Sequence, residues 1–226
     1  MHPTASFLVS LGMAAIVFAV AALDVLAVRA VRPAWSARAA VIAVAWIAAT
    51  GALAGSGLLA RFELRPPPAL LLFPLMLAAG ISIGASSVGA ALAELPLWAI
   101  VGFHAFRLPL ELLLHAAARE GTMPTVMSFS GRNFDIATGV LALACAIALR
   151  LGAPRALGWL VAIVGSVLLL AIAGIALAST PAFQAFGPDQ LNTFVAYVPF
   201  VWLPEVLVVS ALAGQIVLVR ALRRRQ

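Results

Sequence analysis

The chain alternates long apolar runs with short polar or proline-bearing breaks. The runs cover about 7–28, 39–60, 69–85, 92–118, 133–149, 156–178 and 193–222. A helix needs roughly 20 apolar residues to cross the hydrocarbon core of a bilayer, and these runs approach or exceed that length. The pattern predicts an all-α membrane protein, a bundle of about seven transmembrane helices. One polytopic domain over 1–226 accounts for the whole length, with no sizeable soluble part. The breaks carry their own signals. Pro66 to Pro68 cannot continue a helix and restart the chain at the head of the third run. Ser86, Ser87 and Gly89 mark a turn, and Pro154 stands where the sixth run opens. Gly80, Ser82 and Gly84 in the third run are small enough to let a neighbouring helix come close.

Composition agrees with the pattern. Hydrophobic residues make up 64% of the chain and charged residues 10%, against about 25% charged in soluble domains. The formal net charge of +6 would raise nucleic acid as a partner for a soluble protein. Here the basic residues have a topological reading instead, and no nucleic-acid role is expected. All 14 basic residues are arginine, which excludes a lysine Schiff base and with it a retinal protein. With the N-terminus outside, the cytoplasmic segments hold nine arginines: Arg29, Arg32, Arg38, Arg150, Arg155, Arg220, Arg223, Arg224 and Arg225. The outer segments hold four: Arg61, Arg65, Arg119 and Arg132. The excess favours N-terminus outside and C-terminus cytoplasmic. The start, MHPTASF, lacks a basic leader, so the first run is expected to be retained as a helix. Cys145 is the only cysteine, which excludes an intrachain disulfide and a cysteine-cluster metal site; a small buried hydrophobe is expected there.

Ionisable side chains inside lipid are costly, so they face a bundle interior, a cavity or one another. The fourth run carries His104, Arg107, Glu111 and His115. At about 100° per residue, their spacing places all four within roughly 80° on one helix face. Arg132, Asn133 and Asp135 follow where the fifth run begins, and Asn192, Tyr197, Trp202 and Glu205 lie along the seventh. Packing of these three helices would gather the groups into a pocket in the outer half of the bundle. The candidate ligand-binding set is Arg107, Glu111, His115, Arg132, Asn133, Asp135, Tyr197 and Glu205. Each has a plainer reading. Arg107 and Glu111, four residues apart, can neutralise each other. Arg132 and Asp135 suit a helix start. His2 and His115 suit an interface, as do Asp24 and Glu94. Glu205 has no basic neighbour on its own helix, and Arg107 is the cross-helix partner expected for it. Pro109, Pro199 and Pro204 interrupt the backbone ladder beside these charges, which fits a cavity as well as it fits ordinary kinks.

Three stretches carry a likeness to known sequences. They are Phe106-Arg107 with Glu111; Pro124, Met127-Ser128-Phe129, Gly131 to Ile136 and Gly139; and Pro199-Phe200-Val201-Trp202-Leu203-Pro204. Together they resemble a family of bacterial integral membrane proteins without an assigned activity, GRNFD being the most specific part. The resemblance implies a multi-pass protein of the bacterial cytoplasmic (inner) membrane and implies no chemistry.

Three functions remain open on the residues. The first is binding or transport of a small anionic solute or a lipid, with Arg107 and Arg132 as bidentate donors and the carboxylates as counter-groups. The second is an intramembrane enzyme, or a metal or haem protein, using His115 with nearby carboxylates. No HExxH, nucleophile elbow, P-loop or dinucleotide fingerprint is present, and no cofactor or metal is named by any motif. The third is an accessory subunit whose buried charges specify packing. The bilayer is the one partner that the pattern itself requires; oligomeric state stays open.

Overall fold

The computed structural model describes residues 5–224, and His2 and Arg225 lie outside them. Among the described residues the structure is helical, without a β-strand. Helix α1 spans Phe7–Val31 and starts where the Ser6 hydroxyl accepts the Val9 N–H at 3.3 Å. Helix α2 spans Ser36–Gly55, and α3 spans Pro68–Ala85 with Pro68 in its first turn. A short helix α4, Ser87–Leu92, is capped by Ser86, whose hydroxyl accepts the Gly89 N–H at 3.1 Å.

The fourth crossing starts at Leu97 instead of near 92. Pro96 lacks an N–H and biases the residue before it away from the helical region, which separates α4 from the crossing. The crossing is α5, Leu97–Phe103, a 3₁₀ turn over His104–Phe106, and α6, Arg107–Arg119. Helices α7, Ile136–Arg150, and α8, Ala156–Ala178, follow. The last crossing opens as a π-helical turn, Leu203–Val208, and continues as α9, Val209–Arg224. Residues 193–202, expected within this crossing, instead form a 3₁₀ turn at Phe194–Ala196 and an extended Tyr197 before Pro199. The proline ring explains the late start. Six crossings have 18 residues or more. The seventh apolar helix, α7, has 15, about 22 Å of helix. The chain is thus a multi-pass all-α membrane protein.

The last crossing is the axis of the bundle. Of its membrane-crossing stretch 67% is buried, against 17% in each of the first three crossings. Gly80 and Gly84 of α3 make this possible. A Cβ on Gly80 would stand 2.9 Å from Leu212, and one on Gly84 would stand 2.7 Å from Ile216. Ser82, from the same small-residue group, is exposed. Cys145 is buried on α7, as expected of a small hydrophobe.

Candidate functional site

The polar centre is assembled by the segment between α6 and α7. The chain turns tightly there: Gly131 N–H donates to the Ser128 carbonyl at 2.8 Å, and Arg132 N–H donates to the Val126 carbonyl at 3.0 Å. A side chain on Gly131 would collide with the Thr125 carbonyl, so the turn requires glycine. The turn delivers Asn133 inward. Its Oδ1 accepts the Asp135 N–H at 3.0 Å, which leaves Nδ2 to donate to Glu111 Oε2 at 2.8 Å and to the Met127 carbonyl at 3.1 Å. Asp135, at the start of α7, accepts from Arg107 Nη1 and from Thr138 Oγ1, both at 2.8 Å on Oδ1. Arg107 Nη1 also donates to the Gly165 carbonyl of α8 at 3.2 Å. Arg107 is 1% exposed, Asn133 1%, Glu111 3% and Asp135 5%. The result is a continuous polar network joining α6, α7 and α8, in which the buried charges meet opposite charges or hydrogen-bond donors, as burial demands.

A cavity of about 130 Å³ opens beside this network. Its walls come from α3, α6, α8 and the π-helical turn of the last crossing, and they are mostly apolar. Arg107, Glu111, Asn133, Asp135, Asn192 and Glu205 supply its charged and amide groups. A site needs only ~10–15 Å³ of such volume per water, so the space accommodates a group far larger than one water. Three of the lining groups are incompletely satisfied, Asn192 through its Oδ1 and the other two through more than one atom. Both carboxylate oxygens of Glu205 are buried without a hydrogen-bond partner, and so are Nε and Nη2 of Arg107. The Glu205 backbone is held from another side: its carbonyl accepts the Trp46 indole N–H at 2.7 Å. A π-helical turn, wider than an α-turn and frequent at functional sites, therefore sets the Glu205 side chain in the cavity wall.

Five of the eight expected residues, Arg107, Glu111, Asn133, Asp135 and Glu205, line this one cavity. Three do not. His115 is half-buried, with Nδ1 3.1 Å from Ser128 Oγ and its ring stacked on Phe129 at 4.3 Å. Arg132 is exposed and lies over the Phe186 ring at 5.0 Å. Tyr197 is 37% exposed on the extended segment that precedes the last helix. The pairing of Arg107 also differs from both expected partners: Asp135, not Glu111 or Glu205, takes its charge. His104, in the 3₁₀ turn, does not line the cavity; it is buried against Gly214, where an added Cβ would lie 3.0 Å from His104 Cε1. Asp24, expected to be explained by interfacial exposure, accepts instead from Ser210 Oγ at 2.7 Å.

Sequence reasoning missed Thr138, the Gly165 carbonyl and the buried Gln215. The threonine had one readable signal, its place three residues after an acidic helix start. The others had none. Among the described residues, no group of three or more His, Cys, Asp or Glu side chains is arranged to hold a metal ion. No family model, curated protein or solved structure matches this chain.

Proposed function

We propose that this is a multi-pass protein of the bacterial cytoplasmic membrane, N-terminus outside, that binds and passes a small amphiphile through the cavity beside Arg107. The observation that carries this reading is the unpartnered Glu205 carboxylate, facing the same apolar-walled cavity as the unpartnered edge of Arg107. A buried carboxylate without a donor is costly, and a bound head group carrying N–H or O–H donors removes that cost. The unused Nε and Nη2 of Arg107 offer the complementary donors to an oxygen on the same head group. Leucine, isoleucine and alanine walls from α3 and α8 suit the apolar body of such a molecule. Of the two ligand types open on the sequence, the lipid-like one has the better support. A free anion would face one arginine already neutralised by Asp135, beside the carboxylates of Glu111 and Glu205.

The pairing of Arg107 with Asp135, and of Asn133 with Glu111, favours a structural role for part of the network. In this reading those pairs build the wall, and Glu205 with the free edge of Arg107 meets the ligand. The test is mass spectrometry of molecules extracted from the full chain after purification in mild detergent. Wild type is expected to carry a species depleted in Ala176→Trp, which fills the cavity from α8, and depleted in Glu205→Leu. Identical extracts from all three proteins would overturn the proposal.

A further inference from the structure

A second recess runs along the other half of the last crossing. It has a volume of about 360 Å³ and lies between α3 and α8, with α9 as its floor. Its walls are apolar over most of their length, through Leu77, Leu170, Leu212 and Ile216. Polar groups stand only toward one end: Ser166, then Gln215, then Arg220 and Arg223. Arg220 is fixed, since its Nη1 donates to the Gly84 and Ser86 carbonyls at the end of α3. Arg223 is exposed and has no hydrogen-bond or ion-pair partner among the described residues. Gln215 is 3% exposed, and neither its amide oxygen nor its amide nitrogen has a partner. Its position depends on Gly165, where a side chain would overlap the amide nitrogen. A buried carboxamide lining a recess, with both ends unsatisfied, points to an occupant that presents both an acceptor and a donor or a bridging water.

We infer that this recess holds an anionic membrane phospholipid, its phosphate between Arg220 and Arg223 and its ester region against Gln215 and Ser166. Three features commit the recess to that occupant. The two arginines complement a phosphate at the bundle end where the chain concentrates basic residues, and anionic lipids gather at such ends. Gln215 lies five residues before Arg220, about 7.5 Å along the helix, where the polar backbone of a lipid follows its phosphate. From Gln215 back to Val208 the recess is apolar for a further ~10 Å, a path for an acyl chain within one leaflet of the ~30 Å core. The recess ends at Leu169, Ala173 and Val208, which also border the first cavity, but it uses none of the charged groups there. The inference therefore does not rest on the reading of that cavity.

The test is native mass spectrometry of the full chain in detergent, titrated with phosphatidylglycerol or with phosphatidylcholine of the same acyl chains. Wild type is expected to prefer phosphatidylglycerol by about fivefold or more, the contribution of one arginine near an anionic lipid. Arg223→Gln, a change at an exposed position, should reduce the preference below about twofold. Gln215→Leu should weaken binding of both lipids, whereas Glu205→Gln in the first cavity should leave the preference intact. Competition by millimolar inorganic phosphate would assign the site to a free anion and overturn the lipid. Equal binding of the two lipids by wild type, or a preference that survives Arg223→Gln, would overturn it as well.

Discussion

Arg107 Nη1 and Asp135 Oδ1 lie 2.8 Å apart, joining the fourth crossing to the first residues before α7 across 28 positions of sequence. Both side chains are withdrawn from solvent, at 1% and 7% exposure. Removing one member of such a pair leaves an uncompensated buried charge and costs about 3–5 kcal/mol, whereas replacing both by apolar groups is far milder. Arg107→Met and Asp135→Leu are therefore each expected to destabilise strongly, and the double variant less than the sum. Thermal melts of the four proteins in detergent measure the coupling; strictly additive losses would refute the pairing.

Asn133 makes a second, separable contribution. Its Nδ2 donates to Glu111 Oε2 at 2.8 Å. Asn133→Ala removes the donor and is expected to cost about 1–3 kcal/mol. Asn133→Asp also brings like charge against Glu111 and should melt lower than the alanine variant. An aspartate variant as stable as wild type would show that the amide is not what holds Glu111.

Two glycines should respond in opposite ways to the same change. A Cβ on Gly139 would run into the backbone of Leu108, where α7 crosses the start of α6. Gly139→Ala is expected to destabilise by about 1–3 kcal/mol through overpacking. Gly174 on α8 has nothing within 4 Å of an added Cβ. Gly174→Ala should be neutral or stabilise by up to about 1 kcal/mol through reduced chain entropy. Parallel stability measurements decide the matter; equal effects at both positions would contradict the close approach of α6 and α7.

The start of α1 is expected to respond to pH. The Ser6 N–H donates to Glu120 Oε2 at 2.9 Å, and this bond, with the Ser6 side chain as a second donor, holds the Glu120 carboxyl below its ordinary value of 4.5. A depressed folded value means the tether is fully present above pH 4.5 and is lost as pH falls through the lowered value. Hydrogen exchange at the beginning of α1 should accelerate below that point, and Glu120→Gln should flatten the dependence. An unchanged profile in the variant would assign the acceleration to another group.

The apolar runs by themselves determined the fold class and the order of the crossings. Length and hydrophobicity suffice for that, because a bilayer accepts little besides helices of about 20 residues. The prolines marked helix starts at Pro68 and near Pro154, but the run ending at Leu222 concealed that Pro199 delays the last helix to Leu203. The cost of polar groups in lipid pointed to eight residues; one cavity gathers Arg107, Glu111, Asn133, Asp135 and Glu205 and leaves out His115, Arg132 and Tyr197. Which charge meets which was a matter for the tertiary structure alone. Spacing along a helix proposes Glu111 for Arg107, yet the turn at Gly131 brings Asp135 within reach, and an interhelical partner has no signature in the sequence of either helix. The same holds for Gln215, an unremarkable residue of an apolar run until α8 presents Gly165 opposite it. Hydrophobic periodicity records which solvent a segment prefers; pairing and cavities depend on how helices pack against one another, and that arrangement is set by contacts distant in sequence.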